Sequence, residues 1–286
     1  MDLRDLFFTY LVNEMKKNSR ILLLSVDMGS KVINANIKNL KNQYINIGVS
    51  EANGISLAAG LASRGYIPFV YGISSFIFNR PRAQIRHDAI IANNNINIIG
   101  SGAGLTYSQD GPSHHPVEDY MALTSFPNSK LIIPFDKSSS IKANKIALQK
   151  KTTNFIKIDK GTTYNLNFEY KYGFYYKLRS KKKWIFTTGM EVNSIINNKK
   201  YFDYSIAVLF SSSKDNINFM KKLINNKTKI VISDESFTIG GVYSYICTLL
   251  SLANNRNIIN KTLNNRFVQK KYDRKLLRKK YETIWF

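Results

Sequence analysis

Apolar residues recur at helical spacing between Asp5 and Lys17 (Leu6, Phe7, Tyr10, Leu11, Met15). The unbroken apolar run Ile21–Val26 then predicts a buried strand ending at Asp27. Tyr44–Gly48 predicts a second strand, and Ser50 is placed to cap a helix from Glu51 to about Ser63 that stops near Gly65. Further strands are expected at Ile67–Tyr71, Ile96–Gly100, Lys130–Ile133 and Asn154–Ile158, with helices between them. Alternation of this kind predicts a mainly parallel sheet covered by helices on both faces.

From Lys160 to Lys183 the pattern gives way to Gly, Tyr and Lys, which reads as a linker with room for an irregular strand. A shorter alternation follows: strand Trp184–Thr188, a helix near Glu191, strand Ile206–Phe210, a helix from about Asp215, and strand Lys229–Ser233. Gly240-Gly241 opens a helix expected to reach about Leu252. The expected organisation is two α/β domains, residues 1–162 and 184–286, each a mainly parallel sheet flanked by helices, joined by a linker at 163–183.

Composition narrows the class. At 44% hydrophobic and 21% charged, the 286 residues have the make-up of a folded globular protein. The lone Cys247 excludes an internal disulfide and fits a reducing compartment. No apolar run approaches the roughly 20 residues needed to span a bilayer, and Met1–Asp5 lacks the basic-then-apolar layout of a secretory signal. A cytoplasmic protein without a membrane partner is expected.

Lys+Arg 42 against Asp+Glu 19 gives a net charge of +23, a balance that suggests polyanionic partners. The excess is spread along the chain, with clusters at 179–183 and 266–280, and no RNA- or DNA-binding signature accompanies it. Anionic substrates or an acidic partner subunit account for it better than nucleic acid does. A non-catalytic nucleic-acid-binding or regulatory protein is the rival from another functional class.

Two short stretches carry candidate chemistry. Asp110-Gly111-Pro112-Ser113-His114-His115-Pro116-Val117-Glu118-Asp119 holds two of the three histidines, beside carboxylates and after a Gly-Pro turn that follows the expected strand ending at Gly100. A loop of that kind is how an α/β enzyme presents acid and base groups at the carboxyl edge of its sheet. Upstream, Ile47-Gly48-Val49-Ser50-Glu51 puts a carboxylate at a strand-to-helix junction, ahead of a helix rich in Ala and Gly. Helix-dipole stabilisation accounts for the carboxylate, at a few tenths to about one kcal/mol, but leaves the small-residue helix unexplained; a subunit interface explains it.

With Ile67–Phe76, Arg82–Arg86, Phe126-Pro127-Asn128 and Ile133–Asp136, these stretches resemble the thiamine-diphosphate enzymes of the transketolase family across most of residues 1–160. Trp184–Leu252 resembles the family's C-terminal domain more weakly. The resemblance implies that Glu51 hydrogen-bonds a pyrimidine nitrogen of thiamine diphosphate and favours the imino form that generates the nucleophilic ylide. Phe76 then stacks on the pyrimidine with Ile73 alongside, although ordinary core packing accounts for Phe76 equally well. His114 matches a histidine near the reacting oxygens of substrate and Asp110 an aspartate that contacts sugar hydroxyls; His115 and His87 match nothing. Arg4, Ser30 and Lys157 match positions that contact substrate.

The family's Gly-Asp-Gly motif, which holds Mg²⁺ or Ca²⁺ and the diphosphate, does not occur in this chain. No residue here is therefore assigned to metal. The resemblance implies the small subunit of a split transketolase, paired with a separate diphosphate-binding subunit in a dimer of heterodimers, that transfers a two-carbon ketol unit between sugars or sugar phosphates. The beta subunit of a 2-oxo acid dehydrogenase and a deoxyxylulose-phosphate-synthase-like enzyme are the related alternatives. Gly102 stands where a phosphate-contacting histidine is expected, and Lys157 replaces an arginine, keeping the charge but losing its bidentate fork. Both departures point away from an ordinary phosphopentose. Glu235 resembles an acidic family position, for which capping and turn chemistry is an equal account, and the basic tail 266–280 ahead of Trp285-Phe286 is expected to be a solvated helix.

Overall fold

Asp2 opens the first helix: its carboxylate accepts the Arg4 N–H at 2.9 Å, and α1 runs from Leu3 to Lys17 with Phe7, Phe8, Leu11 and Met15 buried. The computed structural model describes residues 1–40, 42–251, 257–269 and 272–280. These form two units, one of Met1–Gly102 with Leu123–Thr163, the other of Ala103–Ala122 with the described residues from Tyr164 onward.

The first unit continues through β1 (Ile21–Ser25), α2 (Lys31–Asn36), β2 (Tyr44–Asn46), α3 (Glu51–Ser63), β3 (Ile67–Ile73), α4 (Ser74–Ile77) and α5 (Arg82–Gln84), which runs into a π-helical turn at Ile85–Ile91. Then come β4 (Asn97–Ser101), α6 (Asp119–Thr124), which starts in the second unit's loop, β5 (Ser129–Ile132), α7 (Lys137–Ala147) and β6 (Thr153–Ile158). The six strands form a fully parallel sheet in the order β2-β1-β3-β4-β6-β5. Every residue of β1, β4 and β6 is buried, as helices on both faces require. The strand order reverses direction between β1 and β3, and the crevice beyond the carboxyl ends at such a point is where ligands bind in open α/β sheets.

Helix α3 has the expected bounds. Ser50 does sit at its N-cap, yet its hydroxyl donates to the Ile47 carbonyl at 2.7 Å instead of accepting a helix N–H. Gly48 takes φ +69°, and the tight turn it permits brings those two groups together.

The second unit holds β7 (Glu169–Lys171), β8 (Phe174–Lys177), β9 (Lys183–Thr188), α8 (Val192–Ile196), β10 (Ser205–Leu209), α9 (Asn216–Leu223), β11 (Lys229–Phe237), α10 (Val242–Ser251), β12 (Ile258–Leu263) and α11 (Arg274–Lys280). Its sheet order is β12-β11-β9-β10-β8-β7. The first four of these are parallel, and the β7–β8 hairpin adds on antiparallel. That hairpin lies inside the stretch read as a linker. It turns at Tyr172 and Gly173, both at positive φ, and sends Phe174 into the core, stacked on Phe219 at 4.4 Å between centroids.

Two expectations for this unit are overturned. Strand β11 continues to Phe237, so Asp234 and Glu235 are buried strand residues and not part of a turn or cap. The basic tail is no solvated helix: Leu277 of α11 is fully buried, and its arginines face buried carboxylates. The expected helix end at Leu252 and the terminal Trp285-Phe286 lie outside the described residues. Among those residues, no helix is long and apolar enough to cross a membrane.

Candidate functional site

The candidate residues of the first unit gather at the carboxyl edge of its sheet, where parallel α/β sheets bind ligands. Ser30 follows β1, Glu51 follows β2, Ile73 ends β3 and Phe76 lies in α4 just after it; Lys157 is the penultimate residue of β6. Arg4 joins them indirectly. Its N–H and Nε both reach the Asp2 carboxylate, which also accepts the N–H of Gly161 just past β6.

Glu51 is buried at 6% exposure, a costly position for a carboxylate without a partner. Arg80 supplies one, with Nη1 2.8 Å from Oε1. The same guanidinium lies over the Phe76 ring, its carbon 4.1 Å from the ring centroid. A planar, nitrogen-rich group thus covers the ring and donates N–H to the buried carboxylate. The aminopyrimidine ring implied by the resemblance would make these same two kinds of contact, so Glu51 and Phe76 fit it.

Ser30 is buried, and its hydroxyl accepts the Ile33 N–H at 3.1 Å, capping α2. Lys157 is buried in β6 beside Gly100 of β4. Gly102, in the place of the expected histidine, takes φ +92° and donates its N–H to the Ile158 carbonyl at 2.7 Å. That conformation suits glycine and strains other residues.

Within the second unit, Gly111 (φ +84°) turns the loop into a 3₁₀ turn at Pro112–His114. Asp110 is exposed and His114 partly so. The His114 Nδ1 lies 3.0 Å from the Ser113 hydroxyl, and its ring meets Tyr107 edge-on. His115 points inward, with Nε2 3.2 Å from the Tyr107 carbonyl. Burial pushes its imidazole pKa down, only partly offset by that carbonyl, so the neutral ring donates Nε2–H. His87 lies on the surface of the first unit's π-helical turn.

Sequence reasoning did not single out Arg80, nor a buried cluster in the second unit. There Glu235 pairs with Arg274 at 2.7 Å and with Arg278, which also reaches Glu191 at 2.9 Å. Burial acts to raise both carboxyls. For Glu191 it outweighs Arg278 and, helped by the charge on Glu235, brings the pKa up to about 7. For Glu235 the two arginines win and hold it at about 2. The four-residue spacing of Arg274 and Arg278, which puts both on one helix face, was the available signal. Among the described residues, no three His, Cys, Asp or Glu cluster as metal ligands.

Residues 1–161 match the family model described as transketolase, pyrimidine binding domain. Among curated proteins, the chain is 31% identical over 137 residues to the 6-deoxy-6-sulfo-D-fructose transketolase subunit SqwH of a Clostridium species, covering 48% of this chain and 42% of that protein. It is 28% identical over 144 residues to one subunit of the apulose-4-phosphate transketolase of Phocaeicola vulgatus, covering 50% of this chain and 46% of that protein. The match thus spans less than half the length of these relatives. A solved structure described as a split gene transketolase, inactive beta4 tetramer, superposes with a TM-score of 0.82 at 20% identity over 99% of this chain and 94% of that one, which shows the fold.

Proposed function

The chain belongs to the transketolase pyrimidine-binding domain family, and from that premise we propose that it is the small subunit of a two-chain transketolase. The observation that carries this reading is the buried Glu51 carboxylate beside Phe76, with both already engaged by a planar N–H donor. Bound thiamine diphosphate would supply the nucleophilic carbon that accepts a two-carbon ketol unit. Glu51 would face a pyrimidine nitrogen and share one proton with it, Phe76 would support the ring face, and Ile73 would border it. Arg80 keeps the buried carboxylate paired and covers the Phe76 ring, and would cede both contacts to a bound pyrimidine.

In this reading Asp110 accepts hydrogen bonds from sugar hydroxyls, and the partly exposed His114 exchanges a proton with the reacting oxygen. Lys157 and Arg4 provide positive charge for an anionic substituent, and Ser30 adds a hydroxyl beyond its capping role. A lysine is a point charge and Gly102 offers no side chain, so the site favours a sugar decorated differently from an ordinary phosphopentose. The related proteins named for a sulfo-sugar and for apulose phosphate support that direction. A larger subunit would hold Mg²⁺ and the diphosphate, in a cytoplasmic dimer of heterodimers. Ala52, Asn53, Ser56, Leu57 and Gly60 form an exposed face of α3 suited to close contact with another chain.

The test is ketol transfer by this chain together with its diphosphate-binding partner, thiamine diphosphate and Mg²⁺, on a panel of ketose donors and aldose acceptors. Glu51→Ala should abolish activity while leaving the complex assembled, and His114→Asn should lower kcat by about 10²–10⁴. Turnover that requires pyruvate as donor would instead select the synthase or 2-oxo acid alternative. A stable complex that fails to bind thiamine diphosphate would overturn the proposal.

A further inference from the structure

The segment Ala103–Ala122, which carries Asp110 and His114, belongs to the second unit, and the contacts holding it there are specific. At its entry, the Leu105 N–H donates to Glu235 Oε2 at 2.9 Å, and Arg274 Nη2 donates to the Ala103 carbonyl at 3.4 Å. Gly104, between them, takes φ +52° and lies so close to Glu235 that a Cβ there would clash with its side chain. At its exit, the Phe237 N–H donates to the Val117 carbonyl and the Met121 N–H to the Gly240 carbonyl, both at 2.8 Å. Leu105 and Val117, one from each end, pack in a single apolar cluster with Phe237, Leu263, Val268 and Leu277, the last from α11.

Between these anchors the loop is organised by short-range bonds: Asp110 N–H to Tyr107 O, His114 N–H to Gly111 O, and His115 Nε2 to Tyr107 O. Such bonds shape the loop but do not locate it on the sheet. The anchors do, and at the loop's entry the orientation of Glu235 is set by Arg274 and Arg278 of α11, with Arg278 tied in turn to Glu191. Buried ion pairs add little net stability compared with apolar packing of the same volume. What they add is direction: a carboxylate held by two guanidinium groups can present one oxygen to one backbone N–H.

We propose that α11 and the two carboxylates it clasps, Glu235 and Glu191, form a positioning clamp for the Asp110–His115 loop. This gives the C-terminal segment a role in substrate handling and rests on the reading of that loop given above. Arg274, Arg278, Glu235 and Glu191 are positioning residues; they act through the loop, not on substrate.

The full chain is tested first by amide hydrogen exchange, which needs neither cofactor nor partner. Glu235→Gln keeps an acceptor for Leu105 but removes the charge that the arginines grip; Arg278→Leu removes one of the two arms on Glu235 together with the tie to Glu191, and Arg278→Lys restores charge at that position. In Glu235→Gln and Arg278→Leu, exchange across residues 106–116 should quicken by about tenfold or more. Exchange in α3 should stay as in the wild type, and Arg278→Lys should recover part of the loop's protection. In the assembled enzyme the same two variants should lower kcat with thiamine diphosphate affinity unchanged.

Unchanged loop exchange in folded Glu235→Gln overturns the clamp, even if Arg278→Leu fails to fold. So does a loosened loop with wild-type kcat. If the wild-type complex shows no ketol transfer, the enzyme reading falls, and hydrogen exchange alone still decides whether the clamp exists.

Discussion

Glu191 and Glu235 share Arg278 yet titrate far apart, because Arg274 pairs with Glu235, while Glu191 is left with burial and a like charge as its opposing influences. The consequence for stability has a definite sign. Glu235, held at about 2, contributes stability that is present above its unfolded value of about 4.5 and lost as the pH falls toward 2. Glu191, raised to about 7, binds its proton more tightly folded than unfolded, so its contribution declines as the pH rises from about 4.5 to 7. We expect Glu191→Gln to flatten that decline, a difference on the order of a few kcal/mol across the window. Scanning calorimetry of both proteins across that range measures it, and parallel profiles would contradict the assignment. At this scale Glu51, Asp110 and His114 stand out as candidates because each is a distinctive residue type inside a short motif. Arg80 was not: its engagement of Glu51 and Phe76 follows from how the chain turns after α4, which no spacing of residue types encodes.

Helix α3 divides its small residues between a packed face and an open one. Gly54 faces inward, where an added Cβ would lie 2.5 Å from Ile47 Cδ1 and 3.3 Å from Val70 Cγ1. Gly60 faces open space, with nothing within 4 Å of a Cβ. Gly54→Ala should therefore destabilise the isolated chain by about 1–3 kcal/mol through overpacking. Gly60→Ala should stabilise it by about 0.5–1 kcal/mol through helix propensity. If the outer face meets another chain closely, Gly60→Ala will also weaken assembly, so thermal melts and sedimentation should move in opposite directions. The bounds of α3 were readable because Glu51 at its first turn and Gly65 past its last are local signals. The β7–β8 hairpin was hidden because its Tyr- and Lys-rich strands mix core and surface residues with no clean alternation. Helix α11 was misread because its lysines and arginines look solvated until Arg274 and Arg278 are seen to meet buried carboxylates.

Over the whole molecule, the +23 charge is the property least absorbed by the fold. If it serves an acidic partner subunit, association should be electrostatically steered. Its rate should then fall by about tenfold or more as ionic strength rises from about 0.05 to 0.5 M, as read by stopped-flow mixing with that subunit. A flat salt profile would place the charge outside the encounter.

Periodicity and residue type, both local, determined the parallel α/β alternation and the strand-to-helix junction at Glu51, and marked the His- and Asp-bearing loop Asp110–His115 as a candidate. Tertiary structure alone decided that Arg80 pairs with Glu51, that the loop is mounted on the second unit, and that Glu235 accepts the N–H of Leu105, 130 positions earlier in the chain. Contacts at such separations depend on which strand ends and helix faces the folded core brings together. A buried charge acquires its partner, and with it its pKa, only once the core has formed.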